Sequence, residues 1–222
     1  MNKKGYSVII AVAHSKGGVG KSTISFNLAV ALSKYFNVEL IDLDYQKTTT
    51  YTNALRVKHG LAAIPMITLE NTKEYKEYVR NDDESKIAIV DVGGFDSELN
   101  RFVIVTSDIV ITPVSASGRD LLGLKRFASI LEEMSKNANS TIVTHVLLNN
   151  INPKKTKLSD LKKFISKSEH FEIFDTILKR RVDFDYSMDE GKSVLEYDKK
   201  SKASNEIKSL IEELKLIIKE IK

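Results

Sequence analysis

The sequence predicts an α/β fold in which a mostly parallel, twisted sheet is covered by helices on both faces. Two observations support this prediction. Apolar runs of strand length alternate with helical stretches along most of the 222 residues, which is the pattern of parallel strands joined by helices. The first run, Ser7–Ala13, is apolar almost throughout, as a strand buried on both faces should be. We expect a single domain over residues 1–222, long enough for a large core.

The same alternation gives the order of the elements. Strands are expected near residues 7–13, 37–42, 86–91, 108–112 and 141–148. Helices are expected near residues 21–35, 48–58, 71–80, 97–106, 118–137, 157–167 and 203–221. No internal repeat and no Pro- or Ser-rich linker interrupts this order.

A glycine-rich run, Lys16–Thr23, joins the first predicted strand to the first predicted helix and reads Lys-Gly-Gly-Val-Gly-Lys-Ser-Thr. Glycines let backbone N–H groups approach phosphate oxygens with no Cβ in the way, and the helix adds the positive end of its dipole. Lys21 should reach the β- and γ-phosphates, Ser22 should bind Mg²⁺ and Thr23 can reach the α-phosphate. The spacing and the strand–loop–helix context together argue against a glycine-rich turn without a ligand.

Lys16 makes the motif more specific. A conventional Walker A motif requires no lysine there, and it opens with glycine where this chain has Ser15. The run resembles the deviant Walker A motif of the ParA/MinD branch of P-loop ATPases. In that branch the early lysine crosses a dimer interface to the partner's nucleotide. The resemblance therefore implies a P-loop NTPase fold and an ATP-dependent homodimer, with higher assemblies left open. A solvated surface lysine is the alternative.

A second strand ends in two carboxylates. Residues Val38–Gln46 contain Asp42 and Asp44, which point the same way if the strand continues that far. The segment resembles the family's Asp-x-Asp-Pro-Gln, with Tyr45 where proline is usual. That resemblance implies that Asp44 positions and polarises the attacking water, while Asp42 supports the Mg²⁺ shell. Alternatively, both carboxylates cap the helix Thr48–Arg56.

A third strand, Ile87–Val90, is followed by Asp91, as in a Walker B motif. Its carboxylate would lie at the C-terminal edge of the sheet, where open α/β sheets bind ligands, and would hold Mg²⁺ through water. Gly93 and Gly94 follow where many family members have proline. Apolar strands that end in aspartate are common, so this motif indicates a Mg²⁺ site only in combination with the P-loop.

The resemblance extends to the C-terminal half. Val146–Asn150 looks like the family's late strand, whose asparagine reads the adenine edge, and we favour Asn149 over Asn150. Residues 177–184 and 190–197 resemble the tail of short partition ATPases. Catalytic roles are expected for Lys16, Lys21 and Asp44. Metal contacts are expected from Ser22, Asp42 and Asp91. Nucleotide contacts are expected from Lys16, Gly17, Gly18, Val19, Gly20, Lys21, Ser22, Thr23 and Asn149.

Composition limits the function classes. The chain has no cysteine, which fits a reducing cytosol and excludes cysteine-ligated clusters such as those of nitrogenase iron proteins. The four histidines have no metal-ligand spacing, and His14 and His145, in or beside apolar strands, are expected to be structural. The start Met1–Lys4 leads directly into the first strand, so no signal peptide is expected.

Positive charge is concentrated between Asn152 and Arg181. This segment has nine basic and four acidic residues, a net charge of +5, whereas the whole chain carries +4. A localised basic excess is typical of nucleic-acid binding, and a solvated basic helix is the alternative. The candidate DNA contacts are Lys162, Lys163, Lys179, Arg180 and Arg181.

The final predicted helix bears on whether the protein is a membrane-associated ATPase like MinD. Its apolar residues recur at helical spacing on one face, but from Glu206 onward it has four lysines, four glutamates and no aromatic residue. Membrane-targeting helices favour bulky aromatics and a basic polar face. We therefore expect this helix to pack on the core, and no stable membrane association.

Together with these patterns, the resemblance implies a short ParA-type partition ATPase without an N-terminal helix-turn-helix, using ATP and Mg²⁺. Such a protein would bind DNA without sequence preference, cooperate with a centromere-binding adaptor and be cytoplasmic and nucleoid-associated. A MinD-like or flagellar-positioning ATPase at the membrane is the first alternative. A metabolic or maturation ATPase is the second.

Overall fold

A computed structural model of the protein describes residues 7–80, 86–154 and 158–221. The strands are β1 (Val8–Val12), β2 (Asn37–Asp42), β3 (Met66–Ile67), β4 (Lys86–Asp91), β5 (Ile109–Val114), β6 (Thr144–Ile151) and β7 (Phe171–Lys179). The helices are α1 (Lys21–Leu32), α2 (Thr48–Lys58), α3 (Thr72–Arg80), α4 (Glu98–Thr106), α5 (Gly118–Ala138), α6 (Ser159–Ile165), α7 (Val182–Asp189), α8 (Val194–Tyr197) and α9 (Lys202–Ile221).

The strands form one sheet in the order β3-β2-β4-β1-β5-β6-β7, and the paired strands of the described residues are parallel. The predicted α/β class, with helices on both faces, is confirmed. Strands β2, β3 and β4 lie on one side of β1, and β5, β6 and β7 lie on the other. The order in which strands are added along the sheet therefore reverses beside β1. Such a reversal opens a crevice at the C-terminal edge of the strands, which is where α/β sheets bind ligands.

The predicted bounds of β2 and β4 agree with the structure, whereas β6 begins and ends three residues later than expected. Residues 141–143 instead belong to the loop between α5 and β6, where the Ile142 N–H donates to Ser135 Oγ at 3.0 Å. The sequence did not predict β3, β7, α7 or α8. Charged residues at Glu172 and Asp175 interrupt the apolar pattern of β7, because it is the last strand of the sheet and exposes them.

Alternate residues of each central strand pack on opposite faces of the sheet. In β1, Val8, Ile10 and Val12 join a core formed with α1, α8 and α9. Ile9, Ala11 and Ala13 join the opposite core, formed with α3, α4, α5 and α6. Since both sides of β1 are buried, the strand is apolar almost throughout.

Helix α9 packs on the core, as predicted. Its buried apolar side chains belong to the same core as α1. Its glutamates cover the free edge of β7: Glu213 accepts the N–H groups of Asp175 and Thr176, and Glu206 accepts that of Lys179 at 2.9 Å. These carboxylates take the place of a further strand, which protects an edge that would otherwise pair with another chain.

Candidate nucleotide-binding site

The glycine-rich loop has the backbone of a phosphate-binding turn. Gly18 and Gly20 have φ of 71° and 91°, and α1 begins directly after Gly20. A Cβ on Gly20 would lie 2.4 Å from Asn149 Nδ2, so no other residue fits there without displacing that side chain. The loop therefore directs the open N-terminus of α1 toward the crevice, as an anion site requires.

A pocket of about 620 Å³ opens at this edge of the sheet. It is lined by Gly17, Gly18, Val19, Gly20, Lys21, Ser22, Thr23, Asp44, Tyr45, Gln46, Thr48, Gly94, Phe95, Asn149, Asn150, Arg180, Arg181, Phe184 and Asp185. The structure thus brings most of the predicted nucleotide-contacting residues together. The sequence did not predict Phe95 and the start of α7 as pocket walls, because only the folded chain brings them beside the loop.

Lys21 lies at the base of the pocket, with only 5% of its surface exposed. Burial lowers the pKa of its ammonium, while the carboxylates of Asp91 and Asp44 raise it. Its Nζ is 3.5 Å from the Lys16 carbonyl oxygen, and a Cβ on Gly94 would lie 3.3 Å from it. The glycine after the Walker B strand therefore allows the loop to approach this cation closely.

Asp91 is fully buried behind the loop. Desolvation raises the pKa of its carboxyl to about 7, although a hydrogen bond from Ser22 lowers it. Ser25 Oγ donates to Oδ1 at 3.4 Å, whereas Oδ2 has no hydrogen-bond partner among the described residues. A buried carboxylate oxygen without a partner, beside the hydroxyl expected to bind Mg²⁺, suits a metal shell.

The two carboxylates of the second strand differ in their contacts. Asp42 Oδ2 accepts the N–H and hydroxyl of Thr50 at 2.9 and 2.8 Å, so Asp42 caps the start of α2. This geometry supports the capping alternative for Asp42. Asp44 lines the pocket, and its Oδ1 accepts only the N–H of Gln46, at 3.0 Å, among the bonds described for that carboxylate. Of the two, Asp44 is therefore the carboxylate that lines the pocket.

Lys16 is absent from the described lining of the pocket. Its ammonium forms an ion pair with Asp120 at the start of α5, and its side chain is 38% exposed. Burial opposes ionisation of Asp120, but bonds from Lys16, Ser115 and Ser117 lower the pKa of its carboxyl to about 2. The two residues are 104 positions apart, and nothing in the sequence predicted the pair.

Asn149 lies at the carboxyl end of β6, in the pocket. Its Nδ2 donates to the Val19 carbonyl oxygen at 2.8 Å, so the side chain is tied to the phosphate-binding loop. This bond holds one hydrogen of the amide nitrogen against the loop, and Oδ1 is the acceptor that the side chain can offer to a ligand. Asn150 also lines the pocket but is exposed, with φ of 54°.

The described residues of the predicted basic segment lie on different elements. Lys162 and Lys163 lie exposed on α6, on one face of the sheet. Arg180 and Arg181 line the nucleotide pocket, and Arg181 pairs at 2.8 Å with Glu206 of α9, which covers the other face. Lys155 and Lys157 lie outside the described residues. Arg180 and Arg181 are thus better placed to support the nucleotide site than to extend a lysine patch on α6.

Comparison with known proteins identifies the family. The model of the CobQ/CobB/MinD/ParA nucleotide binding domain matches residues 10–194. The chain belongs to this family. The ParA/MinD resemblance inferred from the motif is therefore confirmed, over most of the chain.

Relatives within the ParA/MinD family match at full length. The chain is 24% identical over 207 residues to maintenance of carboxysome distribution protein A of Halothiobacillus neapolitanus, covering 92% of this chain and 95% of that protein. A Cyanothece McdA–ATP complex has a TM-score of 0.73 at 17% identity, covering 94% and 96% of the two chains. MinD from Pyrococcus horikoshii with Mg-ADP has a TM-score of 0.64 at 15% identity, with the same coverage. At these identities the two structures support the fold.

Across residues 7–80, 86–154 and 158–221, no helix combines the length and apolar character needed to cross a bilayer.

Proposed function

We propose that the protein is a ParA-type ATPase that partitions DNA. Each protomer would bind ATP and Mg²⁺, and two protomers would close face to face around the nucleotides. The dimer would bind DNA without sequence preference until hydrolysis, stimulated by a centromere-binding adaptor, releases it. The observation that carries this proposal is the position of Lys16: it belongs to the phosphate-binding motif, yet its ammonium pairs with Asp120 outside its own pocket.

The Lys16–Asp120 pair supports a role for Lys16 in the partner's site. The lysine lies at the rim, is over a third exposed and already has a carboxylate partner in its own chain. In a two-fold dimer the same rim of both protomers would meet. The partner's triphosphate, with more negative charge than a single carboxylate, would then compete for the ammonium. Lys16 would add little while the protein is monomeric and would stabilise the ATP-bound dimer.

The fixed amide of Asn149 supports selectivity for adenine. One hydrogen of Nδ2 is engaged by Val19, and Oδ1 would accept a hydrogen bond from the base. Adenine carries an amino donor at position 6, where guanine carries a carbonyl acceptor. A pocket that offers an acceptor to this position should favour ATP over GTP, since a buried pair of acceptors is costly.

The buried carboxylate of Asp91 supports a Mg²⁺ site. Its Oδ2, which has no hydrogen-bond partner among the described residues, and the neighbouring Ser22 hydroxyl would hold Mg²⁺ directly or through water. The described residues contain no group of three or more His, Cys, Asp or Glu side chains that could hold a metal. Phosphates and water would supply the remaining ligands, as is usual for Mg²⁺. When bound, Mg²⁺ neutralises charge that develops on the phosphate oxygens.

Lys21 and Asp44 would support the hydrolytic step. The buried ammonium of Lys21 would stabilise negative charge on the transferred phosphate, because interactions are stronger in a dry site than in water. Asp44, on the pocket wall, would orient the attacking water. Replacing Asp44 with alanine should therefore preserve ATP binding and accumulate the dimer.

The carboxysome-distribution relative favours a second candidate function. Its name assigns it to the distribution of a carboxysome, and it matches this chain over almost the full length of both proteins. The same ATP-driven cycle on DNA would then distribute a protein body rather than a replicon. A membrane-bound cycle has less support, since α9 buries its apolar face in the core.

Co-sedimentation tests the proposal. The Asp44→Ala variant, which should hold the ATP state, is mixed with plasmid DNA or with anionic liposomes, in ATP or ADP. We expect sedimentation with DNA in ATP only, and none with liposomes. Sedimentation with liposomes in ATP would support the membrane-associated alternative. DNA binding that is equal in ATP and ADP would contradict the coupling of DNA binding to the nucleotide.

A further inference from the structure

His14 lies at the end of β1, two residues before Lys16, and only 2% of its surface is exposed. Its Nδ1 accepts the Lys16 N–H at 3.0 Å. A nitrogen that accepts carries no proton, so the neutral ring has its hydrogen on Nε2. The imidazole thus fixes the backbone of the residue that opens the phosphate-binding motif.

One face of α5 completes this arrangement. Asp120, Gly123 and Phe127 are spaced by three and four residues, so they lie on the same side of the helix. Phe127 stacks on the His14 ring, with centroids 5.4 Å apart and planes inclined by 15°. A Cβ on Gly123 would lie 3.4 Å from both His14 and the Lys16 side chain, and Asp120 binds the Lys16 ammonium.

We propose that His14 is a positioning residue that sets the direction of Lys16, with α5 as its platform. The inference rests on the proposed role of Lys16 in the partner's site. His14 fixes the start of the lysine, Gly123 leaves room for its stem, and Asp120 holds its end at the rim. When the ammonium leaves Asp120, the bond from Nδ1 keeps the Lys16 backbone aimed across the interface.

The alternative role, a histidine that only fills the core, explains the contacts less well. An apolar side chain would pack against Phe127 without burying polar nitrogens. Nε2 has no hydrogen-bond partner among the described residues, and an unmade buried bond is costly. The bond that Nδ1 accepts from Lys16 gives a reason for a histidine at this position despite that cost. Burial, with Lys21 and Lys16 nearby, lowers the pKa of His14 to about 4, which keeps Nδ1 free to accept at neutral pH.

Two substitutions separate hydrogen bonding from packing. His14→Phe keeps an aromatic ring against Phe127 and removes the acceptor, whereas His14→Asn restores an acceptor near Nδ1 with less packing. We expect His14→Phe to bind ADP as the parent does and to weaken ATP-dependent dimerisation about tenfold, the effect of losing one hydrogen bond. His14→Asn should recover most of that loss. Analytical ultracentrifugation with ATP and with ADP measures both properties.

His170→Phe is the matched control. His170 is also buried, and its Nδ1 lies 2.9 Å from the carbonyl oxygen of Ile142, but it is not among the residues that line the nucleotide pocket. This variant should dimerise like the parent even if its stability falls. If His14→Phe does not fold, Phe127→Leu provides the test, because it loosens the His14 ring without touching the motif. We expect several-fold weaker dimerisation from Phe127→Leu.

The outcomes separate this inference from the proposed function. If Lys16→Ala dimerises normally with ATP, the role of Lys16 in the partner's site fails and the inference falls with it. If Lys16→Ala fails to dimerise while His14→Phe and Phe127→Leu match the parent, Lys16 keeps its role and His14 is only a core residue. If His14→Asn is impaired while His14→Phe dimerises like the parent, packing rather than the acceptor decides, and the inference is overturned.

Discussion

The phosphate-binding loop and the basic segment at residues 152–181 are both compact in sequence, but only the loop forms one site in the fold. The residues from Gly17 to Thr23 all line one pocket. In contrast, Lys162 and Lys163 lie on α6, while Arg180 and Arg181 lie beside the nucleotide pocket. The difference has a physical cause. The loop acts through consecutive backbone N–H groups, whereas a charged segment acts through side chains that helices and strands direct to different faces.

Because the loop residues converge on one pocket, we expect the largest effect from a substitution at Lys21, within that loop. Lys21→Ala should abolish measurable nucleotide binding, because it removes the buried cation at the base of the pocket. Lys34→Ala, an exposed lysine outside the pocket, is the control and should bind as the parent does. Titration with a fluorescent ATP analogue measures the effect. A Lys21→Ala protein of parental affinity would show that the loop is not a phosphate site.

Arg181 tests whether the basic segment belongs to two sites. Arg181→Ala breaks a partly buried ion pair with Glu206, so it should lower the free energy of unfolding by about 1–3 kcal/mol and weaken ATP binding. The double variant Lys162→Ala with Lys163→Ala should change neither property. Urea unfolding and ATP titration of both proteins give the comparison. Equal, small effects would mean that Arg181 is as peripheral as the α6 lysines.

Asp91 offers a pH test of the buried site. Its pKa in the folded protein, about 7, is above its ordinary value of 3.8, so the folded state binds this proton more tightly than the unfolded state. The resulting stabilisation is present at low pH and is lost as the pH rises through 7. Without nucleotide and Mg²⁺, the parent should lose stability between pH 5 and 8 relative to Asp91→Asn. Parallel pH profiles of the two proteins would disprove the buried, proton-binding carboxylate.

The smallest expected effect concerns DNA. Phosphate-dominated binding should require ATP and weaken with salt through counterion release. Replacing Lys162 and Lys163 should lower the slope of log affinity against log salt by at most about 2. Arg180→Ala with Arg181→Ala should weaken DNA binding mainly through the nucleotide site, with the slope nearly kept. Affinities at several salt concentrations decide between them. If neither pair changes affinity or slope, DNA binds elsewhere on the protein.

Much of the fold was predictable, because parallel strands that are buried on both faces appear in the sequence as nearly continuous apolar runs. The strands at 37–42 and 86–91 were predicted with their observed bounds. β7 was not, because an edge strand exposes charged residues, such as Asp175, and its partners include glutamates of α9. Helix α7, with three aspartates in eight residues, lacks an apolar pattern that would reveal it.

In the candidate site, too, the residues of local motifs were predictable and their distant partners were not. The loop, Asp44 and Asn149 were predicted to belong together and do line one pocket. The capping role of Asp42 was an open alternative, and only its bonds to Thr50 distinguish the two roles. The partners of Lys16 and Arg181, Asp120 and Glu206, lie 104 and 25 residues away along the chain. Such pairs depend on how helices pack, which no local pattern encodes.

Complementation between two inactive variants tests most directly whether Lys16 acts on the partner's nucleotide. Lys16→Ala keeps Asp44, and Asp44→Ala keeps Lys16. In a mixed dimer, the site of the Lys16→Ala protomer would combine its own Asp44 with Lys16 from its partner. The account predicts that each variant alone hydrolyses little ATP and that mixing restores hydrolysis. If Lys16 served its own site, no mixed dimer would contain a complete site, and a mixture as inactive as its components would contradict the account.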